Sequence, residues 1–236
     1  MTAQEILDRA AYITLFKRFQ RGRDFDARFS DATNGRVARR FYGFDGGKLA
    51  IPREWKTSPG AFGCGLAHVV LWATTLSDYC SEYELDKPFF FMEDDAVFCD
   101  DFLTKLEKIA PNVPDDYDIF YLGGEHLLGG RRKPESVAPG IVRAYNVNRL
   151  HAYVVKGHAI KKLFPRILRY LSNAPTVLGP SGDETCFDYE VGRMTEDGTL
   201  TVYAACPFLV GQGGYGSDTY PQKSVGETRF WDIDLI

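Results

Sequence analysis

The chain has 236 residues, 44% of them apolar and 25% charged, which is the balance of a globular soluble protein with a full core in one large domain or two small ones. No run approaches the ~18 apolar residues of a membrane-crossing helix, and the opening "MTAQEILDRAAYITLF" lacks a basic region followed by an apolar one, so neither a transmembrane segment nor a signal peptide is expected. Five scattered cysteines (Cys64, Cys80, Cys99, Cys186, Cys206), none in a CxxC pair, exclude a zinc ribbon and a disulfide framework and point to a reducing, cytoplasmic setting.

The net charge of −4 is unevenly spread. Residues 1–60 hold 12 Lys/Arg against 7 Asp/Glu, net +5, and the remainder is net −9. A basic front end suits an anionic ligand such as a nucleotide diphosphate or a nucleic acid, or else is a solvated surface.

In chain order, Thr2 and Glu5 form a capping box that predicts a helix over about 3–9. "AYITLF", 11–16, is β-branched and aromatic and predicts a buried strand running into the basic stretch "KRFQRGRDFDARFSDATNG". Residues 37–46 predict a second strand closing on a Gly-Gly turn. "SPGAFGCGLAHVVLWATTLSDYCSEY" turns helical after Ser-Pro-Gly, with Leu66, Val69, Val70, Ala73 and Leu76 on one stripe. "PFFFMED" predicts a strand that Pro88 can open, and "DDFLTKLEKIA" an amphipathic helix with acids at its N-terminus. "YDIFYLGG" is a strand, and 126–140 predicts a mobile loop. "IVRAYNV" and "HAYVVKG" are strands. "HAIKKLFPRILRYL" is a helix that Pro165 kinks or divides. "PSGDETCFDYEVGRM" is a loop entering a helix, and "LTVYAACPFLVGQ" is a last strand before a glycine-rich tail. Alternating strands and helices predict an α/β domain with a largely parallel sheet, whose ligands collect at strand carboxyl ends.

One such end carries three consecutive carboxylates, Glu93, Asp94 and Asp95, straight after an apolar run. Strand alternation sends Glu93 and Asp95 to one side and Asp94 to the other. Two carboxylates at i and i+2 suit one hard cation, Mg²⁺, Mn²⁺ or Ca²⁺, that also meets phosphate oxygens; otherwise they are solvated acids capping the following turn. Cys64 and His68, at i and i+4 on a helix, have no third ligand near them in sequence and read as a packed thiol beside a buried, hydrogen-bonded imidazole.

"FFFMEDDAVFCDDF" resembles the acidic signature of the family 25 glycosyltransferases, the group of lipopolysaccharide and collagen galactosyltransferases. "AYITLFKR", "SPGAFGCGLAHVVLW", "YDIFYLGG", "RLHAYVVKGHAIKKLF", "PSGDETCFDY" and "CPFLVGQGGYGSD" resemble further segments of that family, in order, over most of residues 11–218. Ala67, Leu150 and Lys156 stand where Ser, Thr and Ser are usual. The resemblance implies a GT-A-type, Rossmann-like three-layer α/β/α fold with a mixed, mostly parallel sheet in a single catalytic domain. In it, about 11–125 would bind nucleotide sugar and metal, and about 140–218 the acceptor. It implies a UDP-sugar donor, Mn²⁺ or Mg²⁺, and inverting transfer of a hexose, galactose or glucose.

On that basis Asp95 and Glu93 are the candidate metal ligands with His151, which is otherwise a surface histidine at a strand end. Asp94 braces the loop or serves the donor. Thr14, Leu15 and Arg18 lie where the resemblance places uracil and ribose. Gln212 and Ser217 sit in a tail able to close over the donor. Asp183 is the candidate base, with Glu184 adjacent; alternatively Asp183 only caps a helix. The acceptor is a saccharide such as a surface glycan, or a hydroxymethylated DNA base; a third possibility is an inactive sugar-binding domain. The enzyme is expected in the cytoplasm, without an anchor, with peripheral membrane contact open.

Overall fold

A computed structural model describes residues 1–79, 81–128, 132–173, 178–179, 182–183, 187–215 and 228–230. In chain order the elements are α1 (Ala3–Leu7), β1 (Ala10–Thr14), α2 (Phe19–Ala32), β2 (Arg39–Tyr42), α3 (Pro59–Asp78), α4 (Glu82–Leu85), β3 (Pro88–Glu93), β4 (Ala96–Phe98) and α5 (Phe102–Ile109). There follow β5 (Ile119–His126), β6 (Glu135–Ala138), β7 (Ile141–Ala144), β8 (Val147–Lys156), α6 (Gly157–Asn173), β9 (Leu178–Gly179), β10 (Gly182–Asp183), α7 (Phe187–Glu196), β11 (Val202–Ala205) and β12 (Val210–Gln212).

Eight strands form one sheet in the order β2-β1-β3-β8-β5-β11-β7-β6. β1, β2, β3, β5, β6 and β11 run one way and β7 and β8 the other, so the sheet is mixed with most strands sharing a direction. The expected three-layer α/β/α arrangement is present. Strand alternation sends Ala11, Ile13, Phe89 and Phe91 to the face covered by α3, α6 and α7. Tyr12, Phe90 and Met92 go to the opposite face, under α1, α2 and α5. Because β8 is inserted between β3 and β5, early and late strands interleave in a single sheet.

Local chemistry accounts for the ends of several elements. Thr2 accepts from the Glu5 amide while the Glu5 carboxylate accepts from the Thr2 amide, the reciprocal capping box expected for α1. Ser58 caps α3, with Pro59 at the first turn, where its missing N–H costs nothing. α6 runs unbroken through Pro165 rather than ending there.

Other expectations are corrected. The basic stretch after β1, to which the sequence pattern assigns no element, is a 14-residue helix, α2, which buries Gly22, Phe25 and Phe29 and leaves its charged residues and Phe19 toward solvent. The 126–140 loop is shorter than expected: His126 completes β5, and Glu135–Ala138 form edge strand β6 on β7. Residues 129–131 between them lie outside the described residues. The last strand is two, β11 and β12, because Pro207 offers no N–H to a ladder. The buried face of α3 runs through Ala61, Gly65, His68, Trp72 and Thr75; of the stripe expected, only Val69 is fully buried. By length and composition alone α3 is apolar enough to cross a membrane, but half of that stretch is buried inside the protein.

Gly123 on β5 lets two neighbours approach. A Cβ there would stand 2.3 Å from the Val210 carbonyl oxygen and 2.5 Å from His151 Nε2. One contact is backbone and cannot swing away, so Gly123→Ala is expected to destabilise the protein by about 1–3 kcal/mol through overpacking. A urea midpoint unchanged from the parent would contradict this packing.

Candidate functional site

β1 and β3 are parallel neighbours, with Ile13 paired to Glu93, so both chains leave the sheet at the same carboxyl edge. The three carboxylates emerge there, directly beyond the buried wall of Phe89, Phe90, Phe91 and Met92. Their environments differ.

Asp94 is 2% exposed and fully engaged. It accepts from Thr14 Oγ1 at 2.6 Å and from Arg21 Nε at 2.6 Å, with a second Arg21 nitrogen on the same oxygen. Its backbone carbonyl accepts from Arg28 at 2.8 Å. Arg21, Phe25 and Arg28 lie at i, i+4 and i+7 on one face of α2, so the helix that buries Phe25 also presents both guanidinium groups to this turn. Removing one member of such a buried pair costs about 3–5 kcal/mol, because the other charge is stranded.

Asp95 is 7% exposed and makes no ion pair among the described residues. β4 begins at the next residue and pairs with β12, which sets Gln212 opposite Ala96. Gln212 Nε2 donates to Asp95 Oδ2 at 2.9 Å, and the Gly213 amide donates to the Asp95 carbonyl at 2.7 Å. Asp95 Oδ1 is buried with no hydrogen-bond partner among the described residues. Burial first, then the negative Glu93, push the Asp95 carboxyl up to about 7; the Asp94 charge adds to this, and Arg21 and the Gln212 bond oppose it.

Glu93, at the strand end, is turned toward α3. His68 Nε2 is 3.3 Å from Glu93 Oε1, and the Cys64 thiol donates to the same oxygen at 3.6 Å. Burial raises the Glu93 carboxyl, but the His68 hydrogen bond and the neighbouring His68 and Arg21, with His151 only once it is protonated, outweigh it and hold the group below the usual range. Tyr153 OH lies 3.0 Å from His68 Nδ1 and accepts from Trp72 Nε1 at 2.8 Å. A third group therefore does stand beside Cys64 and His68, contrary to the expectation from sequence; contacts between residues 64 and 93 leave no mark in local spacing.

His151 is not a surface residue. It sits inside β8, 1% exposed, one position beyond the Met92–Ala152 pair and therefore beside the end of β3. Burial pushes its imidazole down to about 4, so it is neutral at pH 7, and Nε2 stands 3.3 Å from the Val210 carbonyl. Thr14 is buried and committed to Asp94, Leu15 precedes a short 3-10 turn, and Arg18 on that turn is exposed. Asp183 is described in its backbone alone, on β10 paired with β9. Glu184 and Ser217 lie outside the described residues.

Arg149 is a participant that sequence reasoning missed. Its φ of 69° is the left-handed region that non-glycine residues rarely adopt. Asp188 on α7 and Asn148 accept from its amide at 3.0 and 2.9 Å. The guanidinium pairs with Glu125 at 2.7 Å and donates to Gln212 Oε1 at 3.1 Å. Gln212 thus has its oxygen on Arg149 and its nitrogen on Asp95, which fixes the amide's orientation.

No model of a known protein family matches the chain, and no curated protein matches it.

Chemically, the edge offers a neutralised brace at Asp94 and two carboxylates, Glu93 and Asp95, of which Asp95 has a buried oxygen unshared among the described residues. Oxygen donors of this kind fit a hard divalent cation. Without one, the raised Asp95 carboxyl lowers stability as pH rises from the unfolded value near 4 to about 7, because only the unfolded chain releases its proton in that window. The stability difference between metal-free Asp95→Asn and parent should be smallest at pH 4, shift in favour of the variant up to pH 7, and level off above. Denaturant titrations across pH check this; a pH-independent difference would contradict it.

Proposed function

We propose that the protein is a metal-dependent, inverting glycosyltransferase that moves a hexose from a UDP-sugar to a hydroxyl of a saccharide acceptor, and that it works in the cytoplasm. The observation that carries this is the unshared, buried Asp95 oxygen beside Glu93 at the carboxyl edge of parallel strands, where α/β sheets bind ligands. The resemblance to family 25 glycosyltransferases, centred on this triplet, supplies the donor class and the inverting outcome.

In this reading Asp95 and Glu93 hold Mn²⁺ or Mg²⁺, which when bound would offset charge on the leaving diphosphate. Gln212, oriented by Arg149, keeps Asp95 directed at that position. Asp94, Arg21 and Thr14 fix the turn, so the two ligands need little reorganisation when the donor arrives. Asp183 is the proposed base, removing the acceptor proton as the hydroxyl attacks.

A second reading, a hydroxymethylated DNA base as acceptor, draws on the exit of β1. Phe16 is 77% exposed and Phe19 half-exposed, among the exposed basic residues Lys17, Arg18 and Arg23. Aromatic faces among cations form a stacking platform for nucleic acid. Affinity for single-stranded DNA falling steeply with salt would favour it over the glycan acceptor.

UDP-hexose hydrolysis in the presence of Mn²⁺ and its loss with chelator test the central reading; no turnover with any UDP-sugar would leave only a sugar-binding domain. Asp95→Asn should lower kcat by about 10²-fold or more. Asp183→Asn should lower kcat by roughly 10²–10⁴-fold while donor affinity stays at the parent value. A near-parental rate for Asp183→Asn would move the base elsewhere.

A further inference from the structure

Cys64, His68 and Glu93 bring one sulfur, one nitrogen and one oxygen within 4.8 Å of one another. We propose that these three side chains form a binding site for a thiophilic divalent ion, Zn²⁺ foremost, separate in its donor set from the Asp95 position but sharing Glu93 with it.

Both separations to the Glu93 oxygen are those a bound ion imposes. Zinc bonds of about 2.0–2.1 Å to nitrogen and oxygen and 2.3 Å to sulfur, at the tetrahedral angle, put nitrogen and oxygen about 3.3 Å apart and sulfur and oxygen about 3.6 Å apart. The observed values are 3.3 Å for His68 Nε2 to Glu93 Oε1 and 3.6 Å for Cys64 Sγ to Glu93 Oε1. The site is also built from behind. Cys64 and His68 lie one turn apart on α3, a single rigid helix. The second nitrogen of His68 is held by Tyr153 OH, itself held by Trp72 Nε1, as the outer nitrogen of a metal-binding histidine is usually held. His68 is completely buried, whereas the Glu93 side chain is 23% exposed and Cys64 half-buried, so an ion can enter from the carboxylate side. A fourth ligand would be water.

Binding releases one proton and needs the neutral His68 tautomer with Nε2 unprotonated. The Cys64 thiol loses its proton to solvent, and His68 carries its proton on Nδ1, donating it to Tyr153 oxygen, so that Nε2 and the thiolate sulfur are free to coordinate. Sulfur and imidazole select zinc or cobalt over Mg²⁺ and Mn²⁺. An ion here occupies Glu93 and so withdraws a ligand from the hard-cation position. Resting on the proposed activity, this predicts that zinc inhibits Mn²⁺-dependent turnover and that excess Mn²⁺ relieves the inhibition.

The test is optical and does not depend on turnover. Metal-free full-length protein titrated with Co²⁺ should develop a thiolate-to-cobalt charge-transfer band that saturates at one equivalent. Equimolar Zn²⁺ should abolish the band and equimolar Mg²⁺ should leave it. Cys64→Ser, at a half-buried position where the smaller side chain fits, should lose the band with an unchanged circular dichroism spectrum, and His68→Gln should weaken Co²⁺ binding at least tenfold. Asp95→Asn should keep the band. No band in the parent, a band that survives Cys64→Ser, or one that disappears in Asp95→Asn would each overturn the proposal. A band without any UDP-sugar turnover would sustain the ion site while removing the glycosyltransferase reading.

Discussion

A carboxylate taken out of water needs a counter-charge or a proton, and three in succession at the end of a buried strand need more than the surrounding protein supplies. Coulomb attraction to Arg21 and two strong hydrogen bonds settle Asp94. Glu93 has the His68 imidazole and the Cys64 thiol. Among the described residues Asp95 has one side-chain amide donor and an oxygen with none, so desolvation wins there and the carboxyl is pushed up to about 7. That deficit is the feature around which the rest of the site is arranged.

The fold delivers the deficit rather than tolerating it by accident. Asp94 is braced from α2, one helical layer, while Glu93 is held from α3, the other. The sheet lies between them, and its buried aromatic strand β3 places the triplet at the edge where both layers can reach it. The β4–β12 pairing then brings Gln212 across 117 residues of chain to Asp95, and Arg149 fixes the orientation of that amide. The left-handed backbone at Arg149 is held by a carboxylate from α7, which ties the late helix to the same corner. Gly123 gives His151 and Val210 room to pack against the same corner.

Much of the architecture was legible in the sequence because the signals were local. The capping box of Thr2 and Glu5, the apolar run 88–93 and the alternation of strands and helices each depend on residues close in the chain. The strand-end placement of Glu93, Asp94 and Asp95 followed from the same run. What escaped was either weakly patterned or long-range. α2 buries few side chains, and its charges masked the Phe25–Phe29 spacing that marks its inner face. His151 reads as a strand-end residue because the apolar pattern begins beside it; Val147 to Leu150 extend β8 through a bulge and a left-handed residue that no propensity predicts. The Cys64–His68–Glu93 group and the Gln212–Asp95 contact join segments whose meeting is decided by sheet order, and sheet order is not written in spacing.

In the proposed function, Glu93 and the Asp95 oxygen left without a partner among the described residues hold a hard divalent cation. Anomalous scattering from crystals soaked in Mn²⁺ and UDP measures this most directly. The account predicts a single strong peak within bonding distance of Asp95 Oδ1, adjacent to the diphosphate. A diphosphate bound with no such peak, or a peak bonded to neither Asp95 nor Glu93, would contradict it.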